Sequence, residues 1–301
     1  MKRYDILGLG CVALDELLYV PSFPGVDEKV RVTRSLRRCG GLTGAALVTA
    51  ARMGAACAFA GRLGTDEASQ QVEGAFAREG IDVSHAPRLA EARVITSTIV
   101  VGQDIGSRNI FYQASGLSGA HDDLPPDEVI RGTRVLFIDQ YGMRGNLRAA
   151  RIARSAGISV VADFEDSSET QFQAVLGLVD HLILSEDFAC RTTRAPDAAQ
   201  AARALWQPDR AAVIITCGAN GCWSLSMGGE GPVYHSAFHV TATDTTGCGD
   251  VFHGAYAACL ARGDSLEDRI RFASAAAALR AKEGEVPRRV AVEQFLSEMK
   301  V

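Results

Sequence analysis

The chain lacks an apolar run long enough to span a bilayer. Its first residues, Met1-Lys-Arg-Tyr-Asp-Ile6, carry neither the apolar stretch nor the cleavage site of a secretory signal. These absences predict a soluble, cytoplasmic protein with no membrane partner. It also lacks an excess of positive charge. The formal net charge is −5, which gives no broad basic face for a nucleic acid. The short Arg34-Ser-Leu-Arg37-Arg38 cluster reads as solvated surface. The eight cysteines form no CxxC pair and no zinc-type His/Cys spacing, so reduced, mostly buried thiols are expected. Repeats and low-complexity linkers are absent too.

What is there is enough apolar material for one large core. A hydrophobic share of 47% over 301 residues fits a single α/β domain. Short apolar runs at Tyr4–Val12, Cys57–Ala60, Val135–Ile138, Ser159–Ala162, His181–Leu184 and Ala212–Ile215 read as strands. Between them, Thr43–Met53, Asp66–Glu79, Asn146–Ala156, Thr170–Val179 and Ala198–Leu205 read as helices. Such alternation predicts a mostly parallel sheet covered on both faces. The chain closes on helices near Cys248–Ala261, Ser265–Lys282 and Ala291–Met299. Two segments break the rhythm. Glu16–Val20, a Pro21–Gly25 turn and Lys29–Thr33 read as strand, turn, strand, and Val94–Val101 with Asn109–Gln113 reads as a hairpin. Neither has a covering helix, so together they predict a small projecting sheet, from about 14–38 and 92–115.

Gly8-Leu-Gly10-Cys-Val-Ala13 has the spacing of a dinucleotide-binding fingerprint, which needs a helix to begin at its glycines. The residues that follow, Asp15-Glu-Leu-Leu-Tyr-Val20, read as strand, and Pro21 and Pro24 would end any helix early. A NAD-dependent dehydrogenase is the weaker reading.

The most informative stretch is Asp244-Thr-Thr-Gly247-Cys248-Gly249-Asp250, which runs into the apolar Val251–Leu260. Glycines at a helix start let backbone N–H groups converge on an anion. A carboxylate in that first turn repels the anion unless it has another task. Accepting a proton from an attacking hydroxyl is such a task. The bland alternative is an aspartate that only caps a helix. Cys248 lies where a helix dipole would favour its thiolate.

This motif, with the downstream Phe252-His-Gly-Ala255, resembles the C-terminal signature of the ribokinase-like, PfkB-type carbohydrate kinases. The resemblance implies a three-layer α/β sandwich with a β-sheet lid that often pairs with a second subunit's lid. It implies transfer of the γ-phosphoryl of ATP to a sugar hydroxyl, with Asp250 as base and Gly247, Cys248 and Gly249 as the anion hole. It assigns the sugar to Asp15 and to Gly40 and Gly41 of the Gly40-Gly-Leu-Thr-Gly44 motif. Asp139 and Asp163, at strand C-terminal ends, and Lys29, in the lid, are further substrate candidates. The nucleotide falls to Thr216, Gly218 and Gly221, with Ser274, Ala275, Ala278 and Gly284 near the base; those small residues equally suit helix packing. Magnesium falls to Glu186, and a potassium ion to Asp244. Two departures stand out. Ala45 occupies the region of an expected sugar-binding Asn, and Ser185 and Phe188 replace the Asn and Glu of a magnesium motif. These leave room for a nucleoside or an anionic sugar as substrate, or for a non-catalytic sugar- or nucleotide-sensing protein. Lys29 and Arg108 are the lid cations that would meet an anionic group.

Overall fold

The computed structural model describes residues 2–299. In chain order it runs β1 (Tyr4–Leu9), β2 (Ala13–Val20), β3 (Arg34–Gly40), α1 (Leu42–Arg52), β4 (Cys57–Phe59), α2 (Glu67–Arg78), β5 (Ile95–Gly102) and β6 (Ser107–Gln113). There follow α3 (Asp127–Arg131), β7 (Thr133–Asp139), α4 (Met143–Ser155), β8 (Ser159–Asp163), α5 (Phe172–Leu176), β9 (His181–Ser185), α6 (Glu186–Thr193) and α7 (Ala198–Ala204). The last part holds β10 (Ala212–Thr216), β11 (Cys222–Ser226), β12 (Val233–His235), α8 (Cys248–Arg262), α9 (Leu266–Glu283) and α10 (Arg289–Glu298).

The large sheet has the order β12-β11-β10-β9-β8-β7-β1-β4 and is parallel from β10 to β4. Strand periodicity splits its side chains into two cores. Ile6, Phe137, Val161, Ile183 and Ile214 pack beneath α1, α8 and α9. Leu7, Leu136, Val160, Leu182 and Val213 pack beneath α4, α5 and α7. This is the three-layer architecture that the resemblance implied. Strands buried on both faces read as continuous apolar runs, which is why they were legible.

A second sheet, of order β3-β2-β5-β6, forms the lid. Here one expectation needs correction. Lys29–Thr33 is not a strand; the pairing strand is Arg34–Gly40. Residues 29–33 are exposed, and Val30 and Val32 join no core, whereas Leu36 packs on a small core of Leu17, Tyr19, Ile99 and Val101. After Gly8-Leu-Gly10 the chain enters β2 and not a helix, so the dinucleotide fingerprint has no structural support. Among the described residues, no helix is long and apolar enough to cross a membrane.

Candidate active site

A cleft of about 490 Å³ lies between the lid and the C-terminal ends of β1, β7 and β8. Period-two alternation decides what the lid presents to it. Ala13 and Asp15 of β2 face inward with Arg38 and Gly40 of β3. One position along, Arg37 turns to the opposite face and pairs with Glu16 at 3.5 Å. The basic cluster read as solvated surface therefore divides, and Arg38 enters the cleft. Lys29 does not. It is exposed in the irregular stretch between β2 and β3, far from any inward register position. A further hollow of about 630 Å³, on the outer face of the lid beside α2, includes Glu16 and Arg37 but no residue from the start of α8.

The opposite wall is the start of α8. Gly247 caps the helix with φ 76° and supplies no side-chain hydrogen bond, whereas Asp66 and Ser265 cap α2 and α9. Among the described residues, the N–H groups of Gly249 and Asp250 have no acceptor. Cys248 N–H turns back toward the Thr245 carbonyl at 3.4 Å. The converging donors thus include the Asp250 amide, which the motif alone had not singled out. The Cys248 thiol is pushed up to about 11, first by burial. The cost of burying a charge outweighs the favour that the helix start was expected to give the thiolate, so the neutral thiol prevails.

Asp250 reaches the cleft from the first turn of α8, and Asp163 stands behind it, buried at the end of β8. Both carboxyls lie well above the ordinary range, each chiefly through burial. Repulsion from Asp163 and Glu165 adds to the rise at Asp250, and repulsion from Glu165 and Asp139 adds to that at Asp163. His253, one turn along α8, fastens this group. Its Nδ1 lies 2.8 Å from the Gly249 carbonyl and 3.3 Å from Asp163, and its Nε2 lies 3.0 Å from the Ile183 carbonyl. The turn that opens α8 is thereby tied to the centre of the large sheet.

Asp15 is buried, and Ser97 Oγ donates to its carboxylate. Burial raises its pKa; the Ser97 hydrogen bond and the Arg38 charge oppose the rise. A Cβ on Gly40 would fall 1.9 Å from Asp15 Oδ2, so this place requires glycine. Gly41, with φ 80°, then starts α1 without a side-chain cap. Ala45 does line the cleft, among Leu42, Val48 and Ile95, so this wall is apolar.

Asp139 departs from its expected role. It is fully buried and does not line the cleft. Its Oδ2 accepts from Cys11 N–H at 2.7 Å and from Thr43 at 2.8 Å, and its Oδ1 accepts from Tyr141 N–H at 2.8 Å. Burial outweighs those bonds and raises it to about 6. It locks β1, α1 and β7 together and leaves nothing for a sugar.

Asp244 also departs. Its carboxylate accepts from Arg280 at 3.0 Å, from Tyr19 Oη at 3.0 Å and from Thr246 N–H at 2.8 Å. Arg280 and Asp244 side chains are 1% and 2% exposed. Burial is opposed by Arg280 and these hydrogen bonds, and the net pKa is lowered. A guanidinium therefore supplies the countercharge that a potassium ion was expected to bring. No pattern in the sequence singled out Arg280, because its partner lies 36 residues away.

On the far side, Thr216 ends β10, and Gly218 to Gly221 make a tight turn with Gly221 at φ 80°. Glu186, half-buried in α6, lies against Cys217 of that turn and helps raise its thiol, after burial. Ser274 is half-buried on α9, and Gly284 ends that helix in a left-handed conformation. Ala275 and Ala278, 0% and 8% exposed, belong to the core, so packing accounts for their small size. Among the described residues, no group of three or more His, Cys, Asp or Glu makes a cage for a metal ion.

The sequence pattern of the pfkB family of carbohydrate kinases matches residues 9–286. A ribokinase from Haemophilus influenzae is 27% identical over 307 residues, covering 98% of this chain and 99% of that protein. A fructokinase from Solanum tuberosum is 26% identical over 301 residues, covering 92% and 91%. The structure of an Arabidopsis thaliana ribokinase, complexed with ribose and ATP, aligns with a TM-score of 0.80 at 22% identity, over 97% of this chain and 98% of that one.

Proposed function

Because the chain belongs to the pfkB family of carbohydrate kinases, enzymes that phosphorylate a sugar with ATP, we propose that Asp250 is the base of that transfer in this protein. One observation carries the reading. The Asp250 carboxylate enters the cleft from a helix start whose own amides lack acceptors, opposite Asp15 and Gly40. Asp15 holds a sugar hydroxyl, and Gly40 and Gly41 let the sugar approach the backbone. Asp250 takes the proton of the attacking hydroxyl, while the amides around Gly247, Cys248, Gly249 and Asp250 receive the charge of the moving phosphoryl group. Its raised carboxyl makes it the stronger base once ionised. His253 and Asp163 hold the turn in place from behind. Closure of the lid excludes water, the competing acceptor.

The nucleotide lies along Thr216, Gly218 and Gly221, with Ser274 and Gly284 beside its base. Glu186 is the residue that would hold a magnesium ion bound with ATP, which would supply countercharge to the phosphates. The acidic surroundings of Asp163, Glu165 and Asp250, which repel one another, fit a ligand that brings a cation. The exposed Phe111 of β6, which does not line the cleft, is assigned to a second subunit's lid in a homodimer.

The acceptor is a small sugar with an apolar side facing Ala45, Val48 and Ile95. ADP release measured against sugars, nucleosides and sugar phosphates identifies it. Asp250→Asn should fold and bind ATP yet lose turnover by several orders of magnitude; near-normal turnover sinks the base assignment.

A further inference from the structure

Three guanidinium groups surround the backbone from Thr245 to Gly247. Arg280 is neutralised by Asp244. Arg108, from β6, donates to Thr245 Oγ1 at 3.0 Å. Arg38, from β3, differs from both. Among the described residues, its neighbours Arg34 and Arg37 have ion pairs with Glu285 and Glu16, but no carboxylate comes within ion-pair distance of Arg38. It is nonetheless half-buried in the cleft, facing a like charge in Arg280. Burial first, then that repulsion, lowers its pKa, and the more distant carboxylates of Asp15 and Asp244 offset only part of the fall. A cation placed so is stabilised when an anion joins it.

The position of that anion follows from Gly247. A Cβ placed there would lie 3.4 Å from Asp250 Oδ2 and 3.8 Å from Arg38 Nη2. The carboxylate and the guanidinium therefore approach the same face of Gly247, and all three residues line one cleft. The reacting hydroxyl must lie within reach of Asp250, and the phosphorus beside that hydroxyl.

The geometry points to Arg38 as a catalytic residue that touches the transferred phosphoryl group itself. The inference rests on the reading of Asp250 and α8 given above. In the step, the acceptor oxygen bonds to the γ-phosphorus as its proton passes to Asp250. The bond from the γ-phosphorus to the β,γ-bridging oxygen breaks, and its electron pair stays on ADP. Arg38 binds the equatorial oxygens while they carry the spread negative charge, from the side that the α8 amides leave open. Because Arg38 rides on a lid strand, the site acquires this charge only when the lid is down. ATP bound beneath an open lid meets an incomplete site, which limits its hydrolysis.

The test compares the wild type with Arg38→Ala and Arg38→Lys, using the best acceptor from the panel. For Arg38→Ala, turnover should fall about a hundredfold or more, with the KM values for ATP and acceptor changed less than about threefold. Added guanidinium chloride at millimolar concentration should restore part of the loss, and Arg38→Lys should fall between the two. Affinity for Mg-ADP with aluminium fluoride should drop in Arg38→Ala, while affinity for Mg-ADP alone stays. An unchanged turnover with a raised acceptor KM overturns the inference and makes Arg38 a holder of an anionic acceptor. Parallel losses in both ADP affinities, without guanidinium rescue, also overturn it. A wild type that neither turns over any acceptor nor binds Mg-ADP refutes the underlying kinase reading instead.

Discussion

Replacing Arg280 with methionine should cost about 3 kcal/mol of stability. The side chain keeps much of its volume, but Asp244 loses its countercharge in a place only 2% exposed. Breaking a buried pair on one side typically costs ~3–5 kcal/mol, because the remaining charge is stranded. The lower end applies here, since Tyr19 Oη and Thr246 N–H still donate to Asp244. Relief of the repulsion between Arg280 and Arg38 also offsets part of the loss. With roughly 2 cal/mol/K of unfolding entropy per residue, 3 kcal/mol corresponds to a fall of about 5 °C in melting temperature. Urea midpoints for the wild type, Arg280→Met, Asp244→Asn and the double variant make the assay. The double variant should be much less than additive, with a coupling of about 1–3 kcal/mol. The pH dependence has a definite sign. Asp244 is depressed in the fold, so its contribution is present above the unfolded aspartate pKa and disappears as pH falls through the folded value. The gap between the wild type and Arg280→Met should therefore close in acid. A single-variant cost below about 1 kcal/mol, or additive costs in the double variant, refutes the reasoning.

Other outcomes follow from the same groups. Because the Asp250 carboxyl is raised, the acid limb of the pH–rate profile should lie above the ordinary carboxylate range, with turnover lost as pH falls; a limb near 4 argues against it. Because Arg280 already serves Asp244, exchanging potassium chloride for choline chloride at equal ionic strength should change turnover less than about twofold; strict potassium dependence contradicts this. Asp139 is raised to about 6, so its ionisation opposes folding by about 3 kcal/mol, a loss that develops as pH rises from about 4 through 6. Urea denaturation of the wild type and Asp139→Asn should therefore show a gap that narrows across this interval, and parallel stability curves rule the assignment out.

The helix start at α8 was legible because its signals are local: glycines, helix start and carboxylate lie within seven residues, from Asp244 to Asp250. The parallel strands were legible because burial on both faces leaves them uniformly apolar. The lid was harder. Its strands alternate, and the charges in β3 disguise a strand whose inward row is Leu36, Arg38 and Gly40. A cluster of arginines looks the same from sequence whichever face each one takes. Asp139 and Asp163 were placed correctly at strand ends, but strand position does not reveal whether backbone donors already satisfy a carboxylate. Arg280 was invisible for another reason, since its role depends on α9 folding back over the Asp244 loop.

The lid's register has a mechanical consequence. Gly40, Ala13 and Ile95 sit opposite one another across three strands, and Gln113 lies one step away, opposite Thr96. Every strand of the small sheet thus meets the main body along one line, at one end. At the other end, Tyr19 and Arg108 hold Asp244 and Thr245. The small sheet is therefore anchored at both ends, and its second anchor is the loop that leads into α8. Breaking that anchor would remove two tethers from the residues just ahead of the α8 turn, so any opening of the sheet at this end would also slacken that turn.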